Sequence, residues 1–298
     1  MARILDFGSL NIDYVYGVSH MVAPGETLAA RDRSVYPGGK GLNQAVALAR
    51  AGAQVWLAGM VGPEGDVLLD VCRAANVSVE HVRRTETATG HTIIQVDATG
   101  QNAILLYGGA NRQVGESFAD EVLAHFDAGD YLVLQNEISC LGHIVDVAHA
   151  RGLQVVLNPS PFDEHLDEVD LSKVSLFLVN EVEGAQICGG PTDPGRILDV
   201  MSERFPHAAT VLTLGADGSA YQAPDGGERI WQRACPVTAV DTTGAGDTFT
   251  GYFVAARSAG MPAREALDLA ARASALAVTR AGAVPSIPTM DEVLLARF

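Results

Sequence analysis

Short apolar runs alternate along the chain with longer segments whose apolar residues recur at helical spacing. The apolar runs predict buried strands at 4–8, 55–60, 131–135, 153–158, 174–180 and 210–215. The longer segments predict helices at 42–50, 64–75, 140–151, 194–205, 245–260 and 262–280. Asp193 and Pro194 suit the N-cap and the first position of the helix at 194–205. Because strands that alternate with helices form parallel sheets covered on both faces, the pattern predicts an α/β fold with a mainly parallel central sheet.

Two segments depart from this rhythm, at approximately 10–38 and 88–108. The second alternates apolar and polar residues on either side of Ala98-Thr99-Gly100, which predicts a β-hairpin. Strands that do not alternate with helices favour a small extra sheet, and we expect it to act as a lid over a pocket. With no internal repeat, low-complexity tract or long linker, residues 1–298 are expected to form a single domain that carries this lid.

The composition narrows the class of partner. The 298 residues include 20 Lys and Arg against 36 Asp and Glu, a formal charge of −16. Such a surface repels phosphate backbones, which argues against nucleic acid or anionic membranes as partners but leaves a small anionic ligand open. The four isolated cysteines indicate free thiols in a reducing compartment. With no signal peptide and no apolar run near the ~20 residues that span a bilayer, we expect a cytoplasmic protein.

A cluster of small and polar residues, DTTGAGDTFTGYF, precedes an apolar segment at 241–253. If a helix begins at Ala245, its first N–H groups are unpaired, and Gly244 and Gly246 let a ligand approach the backbone closely. The helix start would then stabilise an anion. Asp247 in the first turn is placed to take a proton from a hydroxyl that attacks phosphorus. An ordinary glycine-containing loop with a helix-start acid is the alternative.

A second glycine cluster, PGGKGLNQA, spans 37–45 and lacks the residue order of a Walker A motif. It offers Lys40 to a phosphate, and backbone together with Asn43 to a polar ligand. A tight turn with a surface lysine explains the same residues. In GSLNID at 8–13, Asn11 and Asp13 follow the first strand, where ligands of parallel sheets bind. Their side chains suit sugar hydroxyls, although an Asx turn is an equal alternative.

The last candidate is VNEVEG at 179–184, which again follows a strand. Asn180 and Glu183 offer the oxygen ligands that Mg²⁺ accepts beside water and phosphates. They also match a helix capping box, and both interpretations can hold at once. The histidines form no recognisable site, and the signatures of serine hydrolases and protein kinases are missing from the sequence.

Together these segments resemble the ribokinase family of sugar kinases. The resemblance runs from GSLNID to TRAGAVPSIP, with PGGKGLNQA similar to the first family signature and DTTGAGDTF to the second. It implies a sheet between helices, with a β lid that covers the sugar and pairs two subunits into a homodimer. It also implies ATP-dependent phosphorylation of the primary hydroxyl of D-ribose to ribose 5-phosphate.

The resemblance further implies individual roles. Asp247 would be the catalytic base, the backbone of Gly244, Ala245 and Gly246 the anion hole, and Lys40 a partner of the transferred phosphoryl group. The implied sugar contacts are Asn11, Asp13, Gly39, Lys40, Asn43, Glu137 and Asp247. The implied ATP contacts are Asn180, Thr213, Gly215, Gly218 and Gly246. Asn180 and Glu183 would hold Mg²⁺ through water. The implied monovalent cation site, for K⁺, comprises Asp241, Thr243, Ala277, Arg280, Gly282 and Ser286.

Two other functions remain open from the sequence. Kinases of the same fold that act on another furanose or on a nucleoside share the second signature. A catalytically silent sugar-binding regulator belongs to a different class, but the presence of Asp247, Lys40 and the anion-hole glycines argues against it.

Overall fold

The structure, a computed structural model, describes residues 2–190 and 192–298. The strands in these ranges are β1 Ile4–Phe7, β2 Asn11–Gly17, β3 Asp32–Gly38, β4 Val55–Val61, β5 Ser78–Arg84, β6 Gly90–Val96, β7 Asn102–Tyr107, β8 Tyr131–Gln135, β9 Gln154–Asn158, β10 Leu176–Asn180, β11 Ala209–Thr213, β12 Ser219–Gln222 and β13 Arg229–Gln232. The α-helices are α1 Lys40–Arg50, α2 Asp66–Ala74, α3 Glu116–Leu123, α4 Leu141–Ala150, α5 Glu181–Cys188, α6 Pro194–Arg204, α7 Ala245–Ser258, α8 Ala263–Ala277 and α9 Met290–Leu295.

The larger sheet has the strand order β13-β12-β11-β10-β9-β8-β1-β4-β5. Neighbouring strands pair parallel from β11 to β5, and only the pairs β11-β12 and β12-β13 at one edge are antiparallel. Helices cover both faces of the sheet, and each face has its own buried apolar cluster beneath the helices. This arrangement confirms the prediction of a mainly parallel α/β fold. β1 lies inside the sheet between β4 and β8, and all its residues are buried.

Helices α1 and α7 pack closely on one face of this sheet. Gly251 makes the close approach possible, because a Cβ there would lie 2.4 Å from the Cβ of Ala47 and 2.7 Å from the backbone nitrogen of Leu48. Behind it, α7 buries Tyr252 and Phe253 completely. The first turns of the two helices are therefore held side by side at the C-terminal edge of the parallel strands.

The smaller sheet has the order β3-β2-β6-β7. β2 pairs antiparallel with β3 and parallel with β6, and β6 and β7 form the predicted hairpin. Only the segment of residues 8–10 separates β1 from β2, so the smaller sheet lies directly at the edge of the larger one. It corresponds to the expected lid. Its large exposed apolar side chains are Val35, Tyr36, Ile93, Ile104, Leu105, Leu106 and Tyr107.

Several predicted element boundaries agree with the structure. α7 begins at Ala245 as predicted, and Asp193 caps α6 by accepting a hydrogen bond from the Arg196 backbone N–H at 2.9 Å. α8 ends at Ala277, before the predicted 280, because the chain turns there and residues 278–286 fold back toward α7. Within the described ranges, no helix is both long and apolar enough to cross a membrane.

Candidate active site

The first turn of α7 carries a buried carboxylate that α1 holds in place. Gly244, at φ 72°, takes the left-handed conformation that starts the helix, and Asp247 follows within the first turn. The Oδ2 atom of Asp247 accepts a hydrogen bond from Asn43 Nδ2 at 2.9 Å. Its Oδ1 atom accepts one from Gln44 Nε2, also at 2.9 Å. One amide on each oxygen fixes the plane of the carboxylate and leaves acceptor capacity for a hydroxyl.

This turn faces a cavity of about 230 Å³. The predicted site residues that line it are Lys40, Asn180, Glu183, Thr213, Gly244, Gly246 and Asp247. The structure thus brings together the candidate base, the anion-hole glycines, the candidate phosphate lysine and the candidate magnesium pair. The backbone N–H of Ala245 donates to Thr242 O at 3.2 Å, and Ala245 lines the neighbouring cavity. A ligand in this cavity would therefore meet the helix start at Gly244 and Gly246, together with a lysine, and both favour an anion.

Lys40 is half-buried at the first position of α1, among acidic side chains. Burial works to lower the pKa of its ammonium group. The carboxylates of Asp247, Glu137 and Glu183 outweigh that effect, so the pKa is raised. Lys40 therefore keeps its positive charge and offsets the surrounding negative charge.

Two of the candidate sugar-binding acids lie beside this lysine and the lid. Glu137 Oε2 accepts hydrogen bonds from Ser9 Oγ and, at 3.1 Å, from the backbone N–H of Lys40. Asp13 lies on β2 and accepts from Thr92 Oγ1 at 2.5 Å. Burial, partly offset by the Thr92 bond, raises the pKa of Asp13 to about 6, and the negative charge of Glu137 adds to the increase.

The remaining sugar candidates are in the same region. Asn11 is buried at the start of β2, and its Oδ1 accepts from Asn111 Nδ2 at 2.8 Å. Gly39 immediately precedes α1, and a Cβ added there would lie within 3.1 Å of the backbone of residues 9–11. Asn43 Oδ1 is buried and has no hydrogen-bond partner among the described residues, so it offers an acceptor.

The predicted nucleotide residues divide between two cavities. Thr213 lines the first, whereas Gly215 and Gly218 line a second cavity of about 490 Å³. Side chains such as Val237 and Phe249 make much of the wall of the second cavity apolar. Thr242 lines both cavities, so they adjoin. An anion-binding space next to an apolar one suits a ligand with a phosphate end and a flat hydrophobic end.

Asn180 and Glu183 form the capping box of α5. Glu183 N donates to Asn180 Oδ1 at 2.9 Å, and Asn180 N donates to Glu183 Oε2 at 3.1 Å. In the parts of the chain that the structure describes, no three His, Cys, Asp or Glu side chains form a metal-binding group. Mg²⁺ usually keeps several waters and binds one or two carboxylates beside phosphates. The Glu183 carboxylate at the cavity wall therefore fits a water-bound magnesium ion.

Hydrogen bonds join three of the predicted cation-site residues, Asp241, Thr243 and Gly282. Asp241 Oδ1 accepts from Thr243 N and Oγ1 at 2.9 and 2.7 Å, and its Oδ2 accepts from Gly282 N at 2.8 Å. Burial works to raise the pKa of Asp241, but these hydrogen bonds hold it below its usual value. Arg280 pairs with Glu292, Ser286 Oγ donates to Ala283 O at 2.7 Å, and Ala277 ends α8.

Several polar side chains of this region are not apparent from the sequence patterns. Gln44 holds Asp247, Ser9 holds Glu137, and Thr92 holds Asp13. Gln44 follows Asn43 in the second glycine segment, and that position was the one available signal. Thr92 and Asn111 come from distant segments, and only the three-dimensional pairing of β2 with β6 brings Thr92 to Asp13.

Comparison with known proteins identifies the family of this chain. Residues 1–290 match the pfkB family of carbohydrate kinases, and the chain belongs to this family. The resemblance inferred from the two glycine signatures is thereby confirmed.

Within the family, the similar proteins include ribokinases. A ribokinase of Schizosaccharomyces pombe is 34% identical over 310 residues, covering 98% of this chain and 97% of that protein. The ribokinase of Cryptococcus neoformans solved with ADP is 32% identical, with a TM-score of 0.86 and 99% of both chains covered. The ribokinase of Arabidopsis thaliana solved with ribose and ATP is 29% identical, with a TM-score of 0.88, 98% of this chain covered and 97% of that chain.

Proposed function

We propose that this protein is an ATP-dependent kinase that phosphorylates the primary hydroxyl of D-ribose, giving ribose 5-phosphate. The observation that carries the proposal is the single cavity that Asp247, Lys40 and the start of α7 share. Ribose as the acceptor is supported by the ribokinase relatives, one of which was solved with ribose and ATP.

In the proposed reaction, Asp247 accepts the proton of the sugar hydroxyl while that oxygen bonds to the γ-phosphorus of ATP and the bond to ADP breaks. Asn43 and Gln44 orient the carboxylate for this transfer. Phosphoryl transfer depends on positioning and charge stabilisation. We assign charge stabilisation to Lys40 and to the backbone N–H groups of residues 244–246.

The magnesium ion and the nucleotide are assigned to the adjoining surfaces. Asn180 and Glu183 would hold Mg²⁺ through water, and the ion would supply neutralisation of the phosphate charge. Thr213 would contact the phosphates, and Gly215 and Gly218 the nucleoside in the second cavity.

The sugar is assigned to the space between the lid and α1. The proposed contacts are Asn11, Asp13, Gly39, Lys40, Asn43, Glu137 and Asp247. Carboxylate and amide oxygens at these positions can accept hydrogen bonds from several hydroxyls, while closure of the lid would exclude water and limit ATP hydrolysis.

A monovalent cation, K⁺, is proposed to support the turn that precedes α7. The Asp241 carboxylate already joins that turn to Gly282 through hydrogen bonds. A cation there would involve Asp241, Thr243, Ala277, Arg280, Gly282 and Ser286, several of them through backbone carbonyls. It would stabilise the turn that leads into the anion hole.

The function is tested by measuring ADP release and product identity with ribose, deoxyribose, a hexose and a nucleoside, each with and without K⁺. Ribose should have the highest kcat/KM, and K⁺ should increase it. Transfer to the nucleoside but not to ribose would replace this proposal with the nucleoside-kinase alternative. A protein that binds sugar but transfers phosphate to none of them would be a regulator.

Sugar binding should depend on the protonation of Asp13. Sugar hydroxyls donate to a carboxylate, so they bind best when Asp13 is charged, above its raised pKa of about 6. As the pH falls from 7 to 5, the Kd for ribose measured by calorimetry without ATP should rise about tenfold. Asp13→Asn removes the titrating group and should flatten the dependence. A wild-type Kd that stays constant between pH 5 and 7 would contradict this role.

We propose that the chain forms a homodimer through its lid. Leu105 is 67% exposed and pairs across strands with Ile93, within the apolar lid surface. Leu105→Asp should convert the dimer to a monomer in sedimentation experiments, because a charge would have to be buried. Leu295→Asp is the control, since Leu295 is 80% exposed on α9, away from the lid. A wild-type monomer, or a dimer that persists in Leu105→Asp, would reject the lid interface.

We further take residues 1–298 as one domain with an appended lid, acting in the cytoplasm. The reducing cytoplasm suits the four cysteines, each of which is a free thiol within the described ranges. Cell fractionation tests the compartment, and a single thermal unfolding transition tests the single domain.

A further inference from the structure

β1 carries a buried acid that the proposed phosphoryl transfer does not use. Asp6 lies in the middle of the larger sheet, between Leu57 of β4 and Val133 of β8, and its side chain is completely buried. Burial raises the pKa of Asp6 well above its usual value, a hydrogen bond from Gln135 opposes the rise, and the charge of Asp247 adds to it. An apolar side chain would fill this place in a central strand at lower cost.

Hydrogen bonds connect this acid to the candidate base. Gln135 Nε2 donates to Asp6 Oδ1 at 3.1 Å and to Gln44 Oε1 at 2.9 Å. Gln44 Nε2 in turn donates to Asp247 Oδ1 at 2.9 Å and to Asn158 Oδ1 at 3.1 Å. Two side-chain amides therefore bridge two carboxyl groups, and both glutamines are completely buried.

The direction of these bonds is set from the Asp6 end. A side-chain amide has one donating and one accepting end, so each link determines the orientation of the next. An accepting oxygen on Asp6 turns the NH₂ group of Gln135 inward, and this group then faces the carbonyl of Gln44. The NH₂ group of Gln44 is thereby left to point at Asp247. A reversed Gln44 would place its carbonyl oxygen against the carboxylate, where the two would repel.

We propose that Asp6 is a positioning residue, which acts through two buried amides to hold Asp247 in its reactive orientation. The inference rests on the proposed function in taking Asp247 as the base. Asp6 touches neither sugar nor nucleotide in this proposal, so its loss should affect the chemical step and leave substrate binding nearly unchanged.

The kinetic test compares Asp6→Val with Asp6→Asn. Valine suits a buried strand but removes the acceptor, so kcat should fall at least about tenfold, while the KM values for ribose and ATP change less than about twofold. Asparagine keeps an acceptor oxygen for Gln135 and should retain at least about a third of the wild-type kcat. An unchanged kcat in Asp6→Val, or equal losses in both variants, would overturn the proposal.

A thermal measurement separates positioning from a merely structural role. Asp6→Val removes a buried carboxyl group, and this change favours folding. It also leaves one N–H of Gln135 without an acceptor, and this loss opposes folding. The melting temperature should therefore shift by less than about 5 °C. A large drop in melting temperature, with kcat retained at lower temperature, would identify Asp6 as structural only.

A second substitution in the same series of hydrogen bonds tests whether Asp6 acts through Gln135. Gln135→Met keeps the shape of the side chain but removes both ends of the amide. It should lower kcat about as much as Asp6→Val, and the double variant should be no worse than either single variant, because all three break one chain. Losses that multiply in the double variant would show independent effects and contradict the relay.

Selective ¹⁵N labelling of glutamine gives a readout that needs no turnover. The side-chain amide resonances of Gln44, assigned with Gln44→Met, should shift in Asp6→Val and stay near their wild-type positions in Asp6→Asn. Unmoved resonances in Asp6→Val would reject the relay. If the wild type phosphorylates no sugar, the proposed function fails, and this measurement still decides whether Asp6 orients Gln44.

Discussion

Asp247→Asn should lower kcat at least about 100-fold, because general base catalysis contributes roughly 10²–10⁴ to such reactions. The KM values for sugar and ATP should change little, since the amide keeps the size of the carboxylate. One hydrogen bond is lost, because the new NH₂ group must face the NH₂ of either Asn43 or Gln44. The assay therefore belongs well below the melting temperature of the variant.

Asp66→Asn is the matched control for this experiment. Asp66 is also an acid in the first turn of a helix, α2, where it pairs with Arg84 on the surface. Its loss removes a favourable charge at a helix start without touching the cavity, so kcat should stay within about twofold of wild type. If Asp247→Asn transfers phosphate as fast as wild type, Asp247 is not the base.

Gly39→Ala should destabilise the protein severely. Gly39 has φ 92°, and a Cβ there would lie 2.8 Å from both Asn11 N and Ser9 O. These are backbone atoms at the junction of β1 with the lid, so they cannot turn aside. Strain and clash together should reduce the free energy of unfolding by about 3–5 kcal/mol. Urea unfolding followed by circular dichroism measures the loss.

Gly52→Ala separates the two causes. Gly52 has a similar φ of 90°, but an added Cβ would meet nothing within 4 Å among the described atoms. Only the left-handed conformation is penalised there, which costs about 1–2 kcal/mol. Equal losses in the two variants would show that the contact between α1 and the 8–11 segment contributes nothing.

Much of the fold could be predicted because local sequence determines it. The short apolar runs at 131–135 and 210–215 predicted buried strands, and glycine followed by an acid marked the start of α7. The hairpin of β12 and β13 was missed, because each strand has only four residues and shows no extended alternation. Their antiparallel pairing at the edge depends on β11, which no local pattern reveals.

The candidate site divides in the same way. Lys40 and Asp247 could be predicted as candidate site residues because glycines next to a helix start indicate a binding surface. Asp6 was not recognised, since a polar residue inside a predicted strand carries no sign of its partner. Four of the proposed cation-site residues, Ala277, Arg280, Gly282 and Ser286, lie at the end of α8 or in the segment after it. The geometry of this segment depends on where α8 ends, and α8 ends earlier than its apolar pattern predicts.

The close crossing of α1 and α7 at Gly251 has a consequence for the timing of catalysis. Lys40 belongs to one helix and Asp247 to the other, so their separation is set by packing in the core and not by the arriving substrates. If both residues act as proposed, their alignment is completed when the chain folds. The proposed reaction would then have to order only the ligands.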